Sequence, residues 1–397
     1  MTSSHISEKN GRFYFTGFLK AAVFALISIF SLPAFADRIG FEGYTDLTID
    51  FPEGFYLTDR STDGKSFQLA NSEYPVNAIV KLYSQGKYGS SQRALDDTIS
   101  KLKLKASSQT VSWRNQTCTV SSISGTIGTE SITGYAAAAV LPWDKGIIFF
   151  MDWCAQNKKS EYDCVLVSLI DSLCIDTGSY FEGGIMTQWK YPYKDSDVPV
   201  ELDIDGKTIN TFLKGNDALG SHYLIEREYE VLCLYAKSSK WKEAWQRYYR
   251  MIFRDSYKRL ERAAFDIYNT LLPECTDETD LAQKLLTWTQ NFKYEREQTK
   301  SDFASLPSIL LGGGSDCDSR SMLLAVLLSA MNQDAVIFVS SAYSHAMAGF
   351  VSTHPGHSFT VDGKSYLMGE TTAKGLTWGK ISQNMDNQSN WITVTFP

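Results

Sequence analysis

Cys317 stands between two aspartates where a glycine run, Gly312 to Gly314, meets the apolar stretch "SMLLAVLLSAM". The residues from Cys317 onward predict a helix that is apolar nearly all round beyond Ser321, the pattern of a helix buried at a domain centre. Ser315 or Asp316 is suited to its N-cap. The glycines allow positive φ and close backbone approach just before it. A cysteine in the first turn of such a helix faces unpaired N–H groups and the positive end of the macrodipole, which favour the thiolate. The same N–H groups can hold the oxyanion formed when a thiolate attacks a carbonyl.

A nucleophile of this kind needs a base, and the base needs an acid that orients it. Past residue 36 the histidines are His222, His345, His354 and His357. "DAVIFVSSAYSHAMAGFVS" predicts a strand, a short turn and a second strand beginning at His345. "HSFTVDGKSYLMGETTA" predicts a hairpin turning at Asp362-Gly363, with Glu370 near the end of its second strand. Cys317 on a helix start, with His345 and Glu370 on successive strands, is the order in which an acid holds one ring nitrogen and aims the other at the thiol. Asp362 and Glu297 are the other acids nearby in sequence. His354 and His357 form an H-x-x-H, but a proline-glycine turn accounts for that loop and no acidic or cysteine partner accompanies it. Asp316 and Asp318 read as helix-start residues. No metal and no cofactor is expected.

With these residues in view, the segment from about 280 to 380 resembles the transglutaminase-like superfamily, a branch of the papain-like fold. The motifs that carry the resemblance are "GGGSDCDSRSMLLAVLL", "SHAMAGF" and "YLMGETTA", in that order. The resemblance implies a central helix on an antiparallel sheet, with Cys317 as nucleophile, His345 as general base and acid, and Glu370 as third member. It also implies a second oxyanion donor from the preceding helix or its end, for which Tyr294, Gln290 and Asn291 are candidates. Two positions depart from the family pattern: Glu370 stands where aspartate is usual, and Met347 replaces a frequent aromatic.

The elements that must position these residues span a chain of 397 residues, long enough for two domains. Lys9, Arg12 and Lys20 precede the apolar run Ala21 to Phe30, and Ala34-Phe35-Ala36 completes a secretory signal peptide over residues 1–36. The expectation is a secreted or periplasmic protein with no stable membrane anchor after cleavage. Without residues 1–36 the chain carries 35 basic against 44 acidic residues. That acidic balance argues against nucleic acid as a partner. Seven cysteines leave one thiol over. Two disulfides among Cys118, Cys154, Cys164 and Cys174 and a third between Cys233 and Cys275 would leave Cys317 free.

The fold class expected is α+β. Residues 37–176 read as an antiparallel sheet with flanking helices, simplest with two helices on one face, and show a faint similarity to PsbP-like domains from "F-x-x-P-x-G-F" at Phe51 onward. Residues 177–200 read as a linker. Residues 201–397 hold a hairpin at Asp205-Gly206, a helical region and the motif-bearing segment. Glu243 with Arg247 and Asp255 with Arg259, each four apart, predict a solvated, salt-bridged face on the helix from Trp241 to about Leu272.

Two functions fit this reading. One is a cysteine enzyme acting on a peptide or protein substrate by acyl transfer, a peptidase or amidase, since nothing marks an amine-donor site for cross-linking. The other is a non-catalytic secreted binding or assembly protein that keeps the fold. The sequence gives no oligomeric state.

Overall fold

The computed structural model describes residues 38–41, 43–296 and 301–397. Residues 1–36, expected as a signal peptide, and Glu297 lie outside the described residues. The fold class is α+β, with antiparallel sheets and helices in both halves of the chain.

The chain opens with β1 (Arg38–Phe41) and β2 (Tyr44–Asp50), which pair as a hairpin. Then come β3 (Phe55–Arg60), β4 (Ser66–Asn71), β5 (Val76–Tyr83), α1 (Ser91–Lys101), β6 (Lys105–Trp113), β7 (Gln116–Ile127), β8 (Glu130–Val140), β9 (Ile147–Ala155), α2 (Lys159–Asp171) and β10 (Leu173–Cys174). Strands β3 to β9 form one antiparallel sheet in the order β3-β4-β5-β9-β8-β7-β6, and β10 joins β2. Alternate residues of a strand face opposite sides, and here both sides are apolar. Ile148 and Phe150 pack with Val165, Leu166 and Leu169 of α2. Ile147, Phe149 and Met151 pack with Ala94, Leu95 and Ile99 of α1. The two helices therefore cover opposite faces, not the single face expected, because every residue of β9 from Ile147 to Asp152 is buried.

Residues 177–200, expected as a linker, are folded. A 3-10 turn (Thr177–Phe181) is capped by Asp176, and α3 (Ile185–Lys190) buries Ile185 and Met186. Two backbone N–H groups of α3 donate to the Asp171 carboxylate, which supplies a local anchor that periodicity does not reveal.

The second half begins with β11 (Asp197–Ile204) and β12 (Lys207–Lys214), a hairpin whose turn residues Asp205 and Gly206 both have positive φ. Four helices follow: α4 (Asp217–Cys233), α5 (Trp241–Leu271), α6 (Glu278–Gln290) and α7 (Leu306–Leu310). The chain then forms α8 (Cys317–Ala330), β13 (Ala335–Ser340), β14 (His345–Val351), β15 (Ser358–Val361), β16 (Lys364–Gly369) and β17 (Ile392–Thr395). Their sheet runs β15-β16-β14-β13-β17, all antiparallel. Ile337, Val339, Ala346, Ala348, Phe350 and Leu367 line the face on which α8 lies, and every residue from Ser319 to Leu328 is buried. Val336, Phe338, Met347, Phe359 and Trp391 fill the other face.

Helix α5 joins the halves, and its charged face is not solvated as expected. Arg247, Arg250, Arg254 and Arg259 are all buried. Arg247 bonds Glu228 and the Asp50 carbonyl rather than Glu243, Arg250 pairs with Asp50, and Arg254 donates to the carbonyls of Asp171, Leu173, Ser179 and Glu182. The Asp255–Arg259 pair does form, at 2.8 Å, but inside the protein beside Asp217. Buried guanidinium groups need compensating partners: Arg247, Arg250 and Arg259 meet carboxylates, and Arg254 is held by backbone carbonyls.

Candidate active site

Asp316 caps α8: its carboxylate accepts from the Ser319 N–H, and the Ser319 hydroxyl accepts in turn from the Asp316 N–H, closing a capping box. Cys317 is thereby the first residue of the helix, as its neighbours predict. The approach is fixed by a short parallel bridge: Ser315 N–H donates to the Lys293 carbonyl and Glu295 N–H to that of Ser315. Gly312 takes φ +90°, and at Gly314 a Cβ would fall 2.1 Å from the Glu295 carboxylate, so a side chain there would displace Glu295.

His345 and Glu370 are brought together. The His345 Nε2 lies 2.8 Å from Glu370 Oε2. An ionised carboxylate only accepts, so Nε2 carries the hydrogen and a neutral ring offers its lone pair at Nδ1. The second oxygen, Oε1, accepts from the Thr372 N–H at 2.8 Å and the Thr372 hydroxyl at 2.6 Å. Burial alone would raise the Glu370 carboxyl, but hydrogen bonds and charge from His345 and Thr372 outweigh it and leave it below the usual range.

The thiol is held differently. Cys317 is only 3% exposed, and its Sγ donates to Asp318 Oδ1 at 3.1 Å. The Ala346 N–H, next to His345, acts on the same sulfur and favours the thiolate. Burial, then Asp318 and Asp316, more than offset it and push the thiol well above its ordinary value. Burial and the neighbouring Asp318 likewise push Asp316 up to about 7.

Gln290 and Tyr294 fall in different places. Both hydrogens of the buried Gln290 amide are taken, by the carbonyls of Glu370 and Leu376, while its oxygen accepts from Gly375 N–H. It thus supports the end of β16 from behind. Asn291, at the C-cap of α6, turns its amide back to the Thr287 carbonyl and is exposed. Tyr294 is half-exposed beside the bridge to Ser315, under the Arg320 guanidinium at 5.4 Å. Its hydroxyl is raised by burial and by the charges of Cys317 and Asp316, so it feels the thiol directly.

Sequence reading missed two residues here. Arg320, 2% exposed, donates to Ser315 Oγ and to the carbonyls of Phe292 and Thr371, tying α8 to both flanking segments. Its charge on the residue just before an almost wholly apolar run was the available signal. Asp318, read as a helix-start residue, bonds both the thiol and, through its other oxygen, the Tyr249 hydroxyl of α5.

All seven cysteines are free thiols in this structure. Cys118 pairs with Ala139, which follows Ala138 opposite Phe149, so it lies two strands and about six residues from Cys154, roughly 20 Å along the sheet. In the structure it is the helix start that marks Cys317. Among the described residues no group of three or more His, Cys, Asp or Glu side chains is arranged to hold a metal ion, and no helix is long and apolar enough to cross a membrane.

No protein-family model matches the sequence, and no curated protein matches it. Solved structures give faint likenesses only. The cyanobacterial PsbP (CyanoP) of Synechocystis sp. PCC 6803 is 10% identical, covering 36% of this chain and 95% of its own, at a TM-score of 0.29. The Saccharomyces cerevisiae Ran-binding protein Mog1p is 10% identical over 35% of this chain and 95% of its own, at 0.27. A protein from Bacteroides thetaiotaomicron VPI-5482 is 10% identical over 72% of this chain and 95% of its own, at 0.23. The PsbP-like resemblance of the N-terminal third stands as a faint one. Scores this low carry no argument about function.

Proposed function

We propose that this protein is a secreted or periplasmic cysteine enzyme of transglutaminase-like type that cleaves peptide or amide bonds. Cys317 is its nucleophile, His345 its general base and acid, and Glu370 the acid that orients the ring. The observation that carries this reading is the 2.8 Å bond between His345 Nε2 and Glu370 Oε2, which leaves Nδ1 as the basic nitrogen. His345 is also the residue before Ala346, whose N–H acts on the sulfur.

In the reaction the thiol passes its proton to His345 Nδ1 and the sulfur attacks the substrate carbonyl. The oxyanion faces the first N–H groups of α8, with the Tyr294 hydroxyl as the second donor. His345 then protonates the leaving amine, and water attacks the thioester, releasing the acid and restoring the thiol. Glu370 stays ionised throughout and stabilises the imidazolium.

The buried thiol and its bond to Asp318 favour the second reading, a non-catalytic secreted binding or assembly protein on the same fold. Cleavage of a peptide library by the full chain decides between them. Wild-type turnover that Cys317→Ala and His345→Ala each abolish supports the enzyme; identical product profiles for all three proteins would overturn it.

A further inference from the structure

Helix starts of this kind ordinarily favour a thiolate, through their N–H groups and dipole. Here a second carboxylate intervenes. Asp318 is the residue after Cys317, and its two oxygens are both engaged: Oδ1 accepts from the thiol at 3.1 Å and Oδ2 from the Tyr249 hydroxyl. Tyr249 is 1% exposed and wedged among the rings of Tyr248, Trp245 and Phe303, with centroids at 5.0, 6.2 and 6.3 Å. A carboxylate fixed at one oxygen by a buried, ring-packed hydroxyl presents the other to the sulfur in a set direction.

We propose that Asp318, aligned by Tyr249, is a positioning residue that keeps the proton on Cys317 in the resting protein and directs it away from His345. The proposal rests on the reading of Cys317 as the nucleophile.

The groups facing this pair come from every side. Asp316 lies in the same helical turn, and Asp302 and Arg296, themselves paired, lie on the segment after α6. Tyr294 and Arg320 feel the thiol's charge from the bridge side and from α8. On the β14 side stand the Ala346 N–H and His345. Carboxylates dominate next to the sulfur: Asp318 and Asp316 oppose the thiolate, while the Ala346 N–H favours it. Burial also raises Asp318, against the two hydrogen bonds it accepts. Loss of the Asp318 charge therefore makes the thiolate easier to form, and a glutamate at the position restores the opposition.

The test is iodoacetamide alkylation of the native full chain from pH 5 to 10, with Cys317 modification mapped by peptide mass. The thiolate forms the new C–S bond as iodide leaves, so the rate follows the thiolate fraction. For wild type the midpoint is expected above about pH 8.5, the value of a free cysteine. Asp318→Asn is expected to speed modification at pH 7 by about tenfold or more, the factor given by a fall of one unit in thiol pKa. Asp318→Glu returns the rate toward wild type. Coincident wild-type and Asp318→Asn profiles, or a wild-type midpoint below that of free cysteine, would overturn the proposal. So would a Cys317 that resists modification in both proteins. If Asp318→Asn does not fold, Tyr249→Phe, which frees the other Asp318 oxygen, is compared instead, and a profile coincident with wild type overturns the proposal. Failure of the enzyme reading shows separately, as peptide cleavage that survives Cys317→Ala.

Discussion

Glu370 does two things at once: it orients His345 and closes on Thr372. Replacing Glu370 with Gln keeps the shape but removes the charge that stabilises the imidazolium. Peptide hydrolysis should fall by about 10²–10⁴ in kcat/KM, with the circular dichroism unchanged. Two carboxyls at this site respond to pH with opposite signs. Glu370 sits below its ordinary range, so its contribution to stability is present above the unfolded value near pH 4.3 and is lost as pH falls through the lower folded value. Asp316 is pushed up to about 7, so its contribution is complete below the unfolded value near 3.9 and lost as pH rises through about 7. Asp316→Asn, which retains a good N-cap, should flatten the fall in stability between those limits, as urea titrations at stepped pH will show. An unchanged slope would put the titration elsewhere. Cys317, His345 and Glu370 were legible because each stands at a helix or strand end marked by local turn residues. Asp318 lies in the first turn of α8 as read, but its bond to Tyr249 was not legible, because that hydroxyl is 69 residues away.

At the level of elements, strands and helices were read where their signals are local. The turns at Asp205-Gly206 and Asp362-Gly363 adopt the positive φ that such pairs permit. The arginine face of α5 was misread because an acid-base spacing of four looks the same on a wet face and a buried one. What covers it lies in other elements: Asp50 of β2, Glu228 of α4 and the carbonyls after α2. The faces of the first sheet were misassigned for a similar reason, since β9 is apolar on both sides and periodicity cannot say where each helix goes. Close backbone contact gives that sheet a sharp test. A Cβ at Gly134 would lie 1.9 Å from the Asp152 carbonyl oxygen, a backbone atom that cannot step aside. Gly134→Ala should therefore cost about 1–3 kcal/mol, from overpacking against the paired strand. In α8, the wholly buried Leu324 packs in the second core, and Leu324→Ala should cost about 2–5 kcal/mol. Chemical denaturation measures both.

Across the whole molecule, the two halves share one helix. The three residues Arg247, Arg250 and Arg254 reach into the first half, at Asp50 and the Asp171 carbonyl, while Tyr249 reaches the thiol's neighbour. Asp50→Ala would remove a buried carboxylate that pairs with Arg250, a loss of about 3–5 kcal/mol. Calorimetry should record that loss as a lowered temperature for the second half as well as the first; a shift confined to the first would show that the halves melt separately. This shared helix also dictates what a shortened protein would look like. Most interfaces, once bared, show oil to the solvent. Residues 201–397 made alone would instead bare guanidinium groups at turn-like intervals along a helix of 31 residues, about 46 Å long. Such a fragment of an acidic protein would carry a local cationic stripe, and would be retained on a heparin column that the full chain passes through.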